Sequence, residues 1–224
     1  MLPNSCQKSV DSSQKFSDPR WLFAPWMRDD EYISSFKIVS GNMVVPEQRC
    51  WVLWSMAKRV LKLELPGEFW ECGVFRGGSA RMIADVIRKE GRTFRLFDTF
   101  TGIPYRSDVD KNVVGQFNNT DEEIARRMVS YDKAVIHKGL IPFSFAGLGN
   151  ARIAFCHIDV DMYRSVKACC EFVWPRLAVG GVIVFDDYAV QSCPGARVAT
   201  DEFLDGKRVH LVPSIEGGAV AVKL

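Results

Sequence analysis

The sequence predicts an α/β domain: a mostly parallel sheet with helices on both faces. Three observations carry this reading. Short runs that are apolar on both faces alternate with segments of helical spacing. A glycine turn, Gly73 to Gly78, follows the first run and opens a helix. Acidic residues stand at the ends of four runs, which is where open α/β sheets bind ligands. Bulk composition agrees, since 224 residues at 47% hydrophobic and 25% charged suit one large globular domain. Lys and Arg number 29 against 27 Asp and Glu, a net charge of +2. That speaks against a nucleic-acid binder with a broad basic surface.

Residues 1–18 read as a flexible, Ser-rich tail and residues 19–65 as an N-terminal arm ending in a helix. The arm carries Trp21, Phe23, Trp26, Asp29, Asp30, Glu31 and Tyr32. So many aromatics must be covered, so the arm either packs on the main domain or acts as a lid over a site. Trp51, Leu53, Trp54, Met56, Val60 and Leu61 form one face of a helix over Pro46–Leu65, which Pro66-Gly67 ends. Trp21, Trp26 and Trp51 exceed what a monomer needs to expose, and this points to a homo-oligomer.

The main domain spans residues 66–224. Glu68–Cys72 reads as a strand, Ser79–Lys89 as a helix and Thr93–Phe97 as a strand ending at Asp98. A long polar loop follows, including Arg106–Gln116. Asp121–Tyr131 reads as a helix with Thr120 as N-cap and Glu123 completing a capping box. Strands at Ala134–Ile136 and Arg152–Ile158 come next, then a helix over Ser165–Trp174 stopped by Pro175. A strand at Gly181–Phe185 and a helix near Arg197–Leu204 lead to a final hairpin, Val209–Val212 and Ala219–Val222, which adds an antiparallel C-terminal strand. The seven cysteines are odd in number, lack a CxxC pair and sit mostly among apolar residues, so they read as reduced packing residues of a cytoplasmic protein. The N-terminus lacks an apolar signal core, and no run approaches the ~18–20 apolar residues of a membrane span.

The strand ends carry Glu71, Asp98, Asp159, Asp161, Asp186 and Asp187, with Lys138-Gly139 at the third. Crowded carboxylates repel and raise each other's pKa, and a cation among them relieves this. Three converging carboxylates suit a hard cation such as Mg²⁺, and no cluster of Cys and His points to zinc. Asp98, 27 residues after Glu71, can accept hydrogen bonds from a ribose, which fits either NAD or S-adenosylmethionine. The G-x-G-x-x-G spacing of dinucleotide binders is absent, which weakens the NAD reading.

Four segments carry a resemblance: Glu71-Cys72-Gly73-Val74-Phe75-Arg76-Gly77-Gly78, Phe97 to Pro104, His157 to Tyr163 and Gly180 to Tyr188. In this order and spacing the chain resembles the macrocin O-methyltransferase (TylF-type) family from about Pro46 onward. The resemblance implies the Rossmann-like class I methyltransferase fold and use of S-adenosylmethionine and Mg²⁺. It implies a small-molecule hydroxyl acceptor, a sugar or a phenol, in natural-product biosynthesis. Asp159, Asp186 and Asp187 would bind the metal, and Asp161 would be the general base. Glu71, Gly73, Gly78, Ser79, Asp98, Lys138, Gly139 and Asp159 would surround the cofactor, with Asp98 on its ribose and Lys138-Gly139 near the adenine. The arm would be a mobile lid. Phe75 stands where the family often has Trp. A catechol-type methyltransferase on aromatic diols and a non-catalytic nucleotide-binding module are the competing readings.

Overall fold

A computed structural model describes residues 24–224. Trp21 and Phe23 of the arm, and the tail, lie outside the described residues. The described chain forms six α-helices and one seven-stranded sheet. In chain order these are α1 (Asp30–Val39), α2 (Glu47–Lys62), β1 (Glu68–Cys72), α3 (Gly78–Ile87), β2 (Phe94–Asp98), α4 (Glu122–Val129) and β3 (Ala134–Lys138). Then come β4 (Ile153–Ile158), α5 (Tyr163–Arg176), β5 (Leu177–Phe185), α6 (Pro194–Leu204), β6 (Val209–Pro213) and β7 (Ala219–Lys223).

The strand order is β3-β2-β1-β4-β5-β7-β6, parallel through the first five and antiparallel at β5/β7 and β7/β6. This is the expected architecture, with the hairpin's second strand inserted beside β5. The chain reverses direction across the sheet between β1 and β4, and ligands of such sheets sit in the crevice at the carboxyl ends there. Among the described residues no helix is long and apolar enough to cross a membrane.

Alternation along each strand divides the core. Trp70, Phe97, Cys156, Ile183 and Phe185 pack beneath α5 and α6. Phe69, Phe94, Phe155 and Val184 pack beneath α2, α3 and α4. A third cluster joins the arm to α3 through Tyr32, Val39, Val45, Cys50, Trp54 and Met82. Asp29 caps α1 by accepting from the Tyr32 amide at 2.9 Å. Trp26 and Trp51 pack half-buried against this cluster. The six described cysteines are all free and buried.

Several helix boundaries differ from expectation by one to three residues, and two have identifiable causes. The N-cap of α4 is Asp121, whose Oδ1 accepts from Ile124 N at 2.7 Å. The Thr120 hydroxyl instead turns to the glycine loop, donating to the Phe75 carbonyl at 2.6 Å. Pro175 does not stop α5, which continues to Arg176. The amide lost at Pro175 falls in the last turn, where Arg176 Nη1 donates to the Phe172 carbonyl at 2.7 Å. The chain then passes straight into β5, which starts four residues before the predicted Gly181.

Phe155 is fully buried and stacks on Phe69 at 5.3 Å between ring centroids, whereas Phe143 is 76% exposed. Phe155→Ala is expected to lower unfolding free energy by about 3–5 kcal/mol and Phe143→Ala by no more than about 0.5 kcal/mol. Urea denaturation of the two variants checks this, and comparable losses would contradict the assigned core.

Candidate active site

The carboxyl ends of β1, β2, β4 and β5 open onto a cavity of about 340 Å³. Its wall includes Gly73, Phe75, Asp98, Gly139, Asp159, Asp161, Asp186 and Asp187, together with Val44 and Arg49 of the arm. The loop after β2 supplies Lys111, Asn112, Gln116 and Phe117.

The glycine turn is held from two sides. Asp98 Oδ2 accepts from the amides of Val74 and Phe75 at 2.7 and 2.8 Å, and Oδ1 accepts from Phe100 N at 2.7 Å. Gly73 has φ +87°, and a Cβ there would overlap the Asp159 carbonyl. Only glycine lets β1 leave the sheet this close to the end of β4.

Not every predicted residue reaches the cavity. Glu71 is fully buried because it lies opposite His157 in the β1/β4 register and its Oε1 bonds His157 Nδ1 at 2.8 Å. Gly78 and Ser79 are buried, Gly78 under the arm, where a Cβ would come within 2.6 Å of Met43 Cβ. Lys138 points to solvent at the end of β3, and only its neighbour Gly139 meets the cavity.

The four aspartates of β4 and β5 do converge. Ligand atoms of His157, Asp159 and Asp186 lie within 4.8 Å of one another, as do those of Asp161, Asp187 and Cys193. The expected metal ligands thus span two adjoining groups. Arg49 joins them: its Nη1 donates to the Asp186 carbonyl at 2.7 Å and to the Asp186 carboxylate, and lies 3.7 Å from Asp187 Oδ1. Burial, then the charges of Asp186 and Asp187, pushes Asp159 well above the carboxylate range. Burial, then Asp161 and Asp186, does the same to Asp187. Asp161 is also raised, first by burial, although the Cys193 thiol and the Asn112 amide hydrogen-bond it.

Asp161 has φ +59° and is gripped through one oxygen. Asn112 Nδ2 and Cys193 Sγ both donate to Oδ1, at 3.2 and 3.3 Å. Asn112 is itself positioned by Asp110. That buried carboxylate accepts from the amide and hydroxyl of Ser107, each at 2.7 Å, and from Tyr163 N at the start of α5, at 2.9 Å. Sequence reasoning missed Arg49, Asn112, Cys193 and the role of His157. The His157 signal was available, because a histidine inside an apolar strand two residues before an acid needs a partner.

The acidic cluster fits a hard divalent cation. Its donors are carboxylate oxygens, and Asp187 Oδ2 is buried without a hydrogen-bond partner. His157 belongs to the layer beneath. Burial would lower its pKa, but the Asp186 carboxylate 3.7 Å from Nε2, the hydrogen bond to Glu71 and the charge of Glu71 push it up to about 10. Burial raises Glu71 as well.

A raised histidine pKa means that the folded state favours the charged form. Its stabilisation is full below the ordinary value of 6.5 and is lost as pH rises through about 10. The urea midpoint of the metal-free protein is therefore expected to fall between these pH values, and His157→Gln is expected to remove most of the fall. A profile with the same slope in both proteins would contradict the assignment.

The macrocin-O-methyltransferase (TylF) family matches residues 38–220. The chain is 30% identical over 207 residues to 8-demethyl-8-(2,3-dimethoxy-alpha-L-rhamnosyl)-tetracenomycin-C 4'-O-methyltransferase of Streptomyces olivaceus, covering 85% of this chain and 75% of that one. Among solved structures it is similar to the O-methyltransferase NovP, with TM-score 0.66, 22% identity, and coverage of 79% of this chain and 80% of NovP. It is also similar to an O-methyltransferase from Bacillus cereus in complex with SAH, with TM-score 0.59, 16% identity, and coverage of 87% and 91%. The two structures share the fold, and the family match extends across the arm helix, the glycine turn and all four aspartates. The chain belongs to the macrocin-O-methyltransferase (TylF) family of O-methyltransferases.

Proposed function

We propose that this chain is an S-adenosylmethionine- and Mg²⁺-dependent O-methyltransferase acting on a hydroxyl of a sugar or sugar-bearing natural product. The observation that carries the proposal is the sharing of one cavity by the glycine turn, Asp98 and the four-aspartate cluster. Relatives named as O-methyltransferases of a rhamnosyl-tetracenomycin C and of mycinamicin III support the acceptor class.

Gly73, Asp98 and Gly139 would line the cofactor half. Asp98 Oδ1 holds one backbone amide and keeps a lone pair for a ribose hydroxyl. Asp159, Asp186 and Asp187 would hold Mg²⁺. When bound, the ion would lower the pKa of a coordinated hydroxyl and orient it toward the sulfonium methyl. Asp161 would take the proton. Its two hydrogen bonds both engage Oδ1, leaving Oδ2 to accept. Burial lifts its pKa toward the working range of a general base. Asn112 and Cys193 would orient this base, and Phe75, Phe117 and Val44 would exclude water around it.

Calorimetric titration of S-adenosylmethionine into the protein, with and without Mg²⁺, tests the cofactor. Binding is expected, and no binding to a folded sample would sink the reading. Asp161→Asn is expected to lose about 10²–10⁴-fold in turnover on a vicinal-diol acceptor while binding cofactor and metal like the wild type. Loss of metal binding in that variant would refute the division of labour between Asp161 and its neighbours. A screen of sugar diols against catechols reads the acceptor class directly.

A further inference from the structure

We infer that Arg49 is a built-in counter-cation of the acidic cluster, competing with a divalent metal for the carboxylates of Asp186 and Asp187 and thereby setting the metal affinity of the site. The inference rests on the reading of these aspartates as metal ligands. It starts from the position of Arg49, the third residue of α2, whose side chain is only 13% exposed. The arm therefore delivers one positive charge into the carboxylates from 137 positions away in sequence.

The pairing is incomplete on both sides. Arg49 Nε is buried with no hydrogen-bond partner, and so is Asp187 Oδ2. A guanidinium serving only as a structural bridge normally uses its planar fork on both oxygens of a carboxylate. Here a single nitrogen, Nη1, reaches the Asp186 carboxylate, the Asp186 carbonyl and, at 3.7 Å, Asp187. The carbonyl bond gives that nitrogen a partner it can keep if the carboxylates are withdrawn. Arg49 supplies one charge to a group of four aspartates, Asp159, Asp161, Asp186 and Asp187, and the His157 ring beside them is already hydrogen-bonded to Glu71. A divalent ion would supply two charges to the same carboxylates. The two cations repel at this range, so each weakens the hold of the other.

Arg49 is also tied to the arm. Its neighbour Cys50 is fully buried in the cluster that packs Tyr32 and Trp54 onto α3. Metal affinity and the seating of α2 are therefore linked, and linkage is reciprocal. The competition makes effects of opposite sign. Removing the guanidinium should loosen the metal-free protein and tighten metal binding.

The test measures Mn²⁺ affinity by the loss of free-ion EPR signal, together with thermal midpoints in chelator and in saturating Mn²⁺. Arg49→Gln is expected to bind Mn²⁺ about tenfold or more tightly than the wild type. It should melt at lower temperature in chelator, with the gap closing in Mn²⁺. Arg49→Lys, which keeps the charge, should stay within about threefold of wild-type affinity. In the wild type, the Arg49 Nε–H resonance, identified by its absence in Arg49→Lys, should shift on saturation with Mg²⁺. Equal or weaker Mn²⁺ binding by folded Arg49→Gln, or an unmoved resonance at saturation, would overturn the inference alone. Failure of Mn²⁺ to bind either folded protein would overturn it together with the metal reading.

Discussion

Four aspartates crowd the carboxyl ends of β4 and β5, and their mutual repulsion is the constraint around which the rest of the site is arranged. Burial and like charge push Asp159 and Asp187 well above the carboxylate range. Positive charge in or beneath such a cluster relieves the repulsion. Two groups answer that need. Arg49 comes from the arm helix and bonds Asp186. His157 comes from β4 itself and is braced by Glu71 across the β1/β4 register. The fold therefore commits a strand pair and an arm helix to the support of one acidic patch.

Packing reinforces the same geometry. Gly73 lets β1 turn against the end of β4, and Asp98 pins the next two amides of that turn. Asp110 ties the long loop to the first residue of α5, which delivers Asn112 onto Asp161. Each device links two segments distant in sequence, so the site has a definite shape before any ligand enters. That kind of preorganisation lets fixed dipoles and charges act on a reacting hydroxyl without rearrangement.

Much of the architecture is legible in the sequence because parallel strands buried on both faces read as unbroken apolar runs. Gly181–Phe185 is an example, with Asp186 and Asp187 directly after it. The first half of β5 is not legible, since it carries Gly180 and a 70% exposed Val179. Thr120 and Asp121 are both good caps by residue type, and a contact with Phe75, 45 positions away, decides between them. Asp159, Asp161, Asp186 and Asp187 are found from strand ends alone. Glu71 looks equivalent to them, but its partner in the neighbouring strand draws it beneath the cavity. Arg49 is invisible for the opposite reason. In the sequence it is one charged residue of an amphipathic helix, and only the docking of that helix gives it a role.

The central question is whether a cation sits among these aspartates when cofactor enters the cavity. The most direct measurement is an anomalous difference map from crystals grown with Mn²⁺ and S-adenosylhomocysteine. A single strong peak bonded by Asp159, Asp186 and Asp187, with adenosine density running past Asp98 toward Gly139, is the predicted result. A fully seated Arg49 with no peak between these carboxylates, at saturating Mn²⁺, would contradict it.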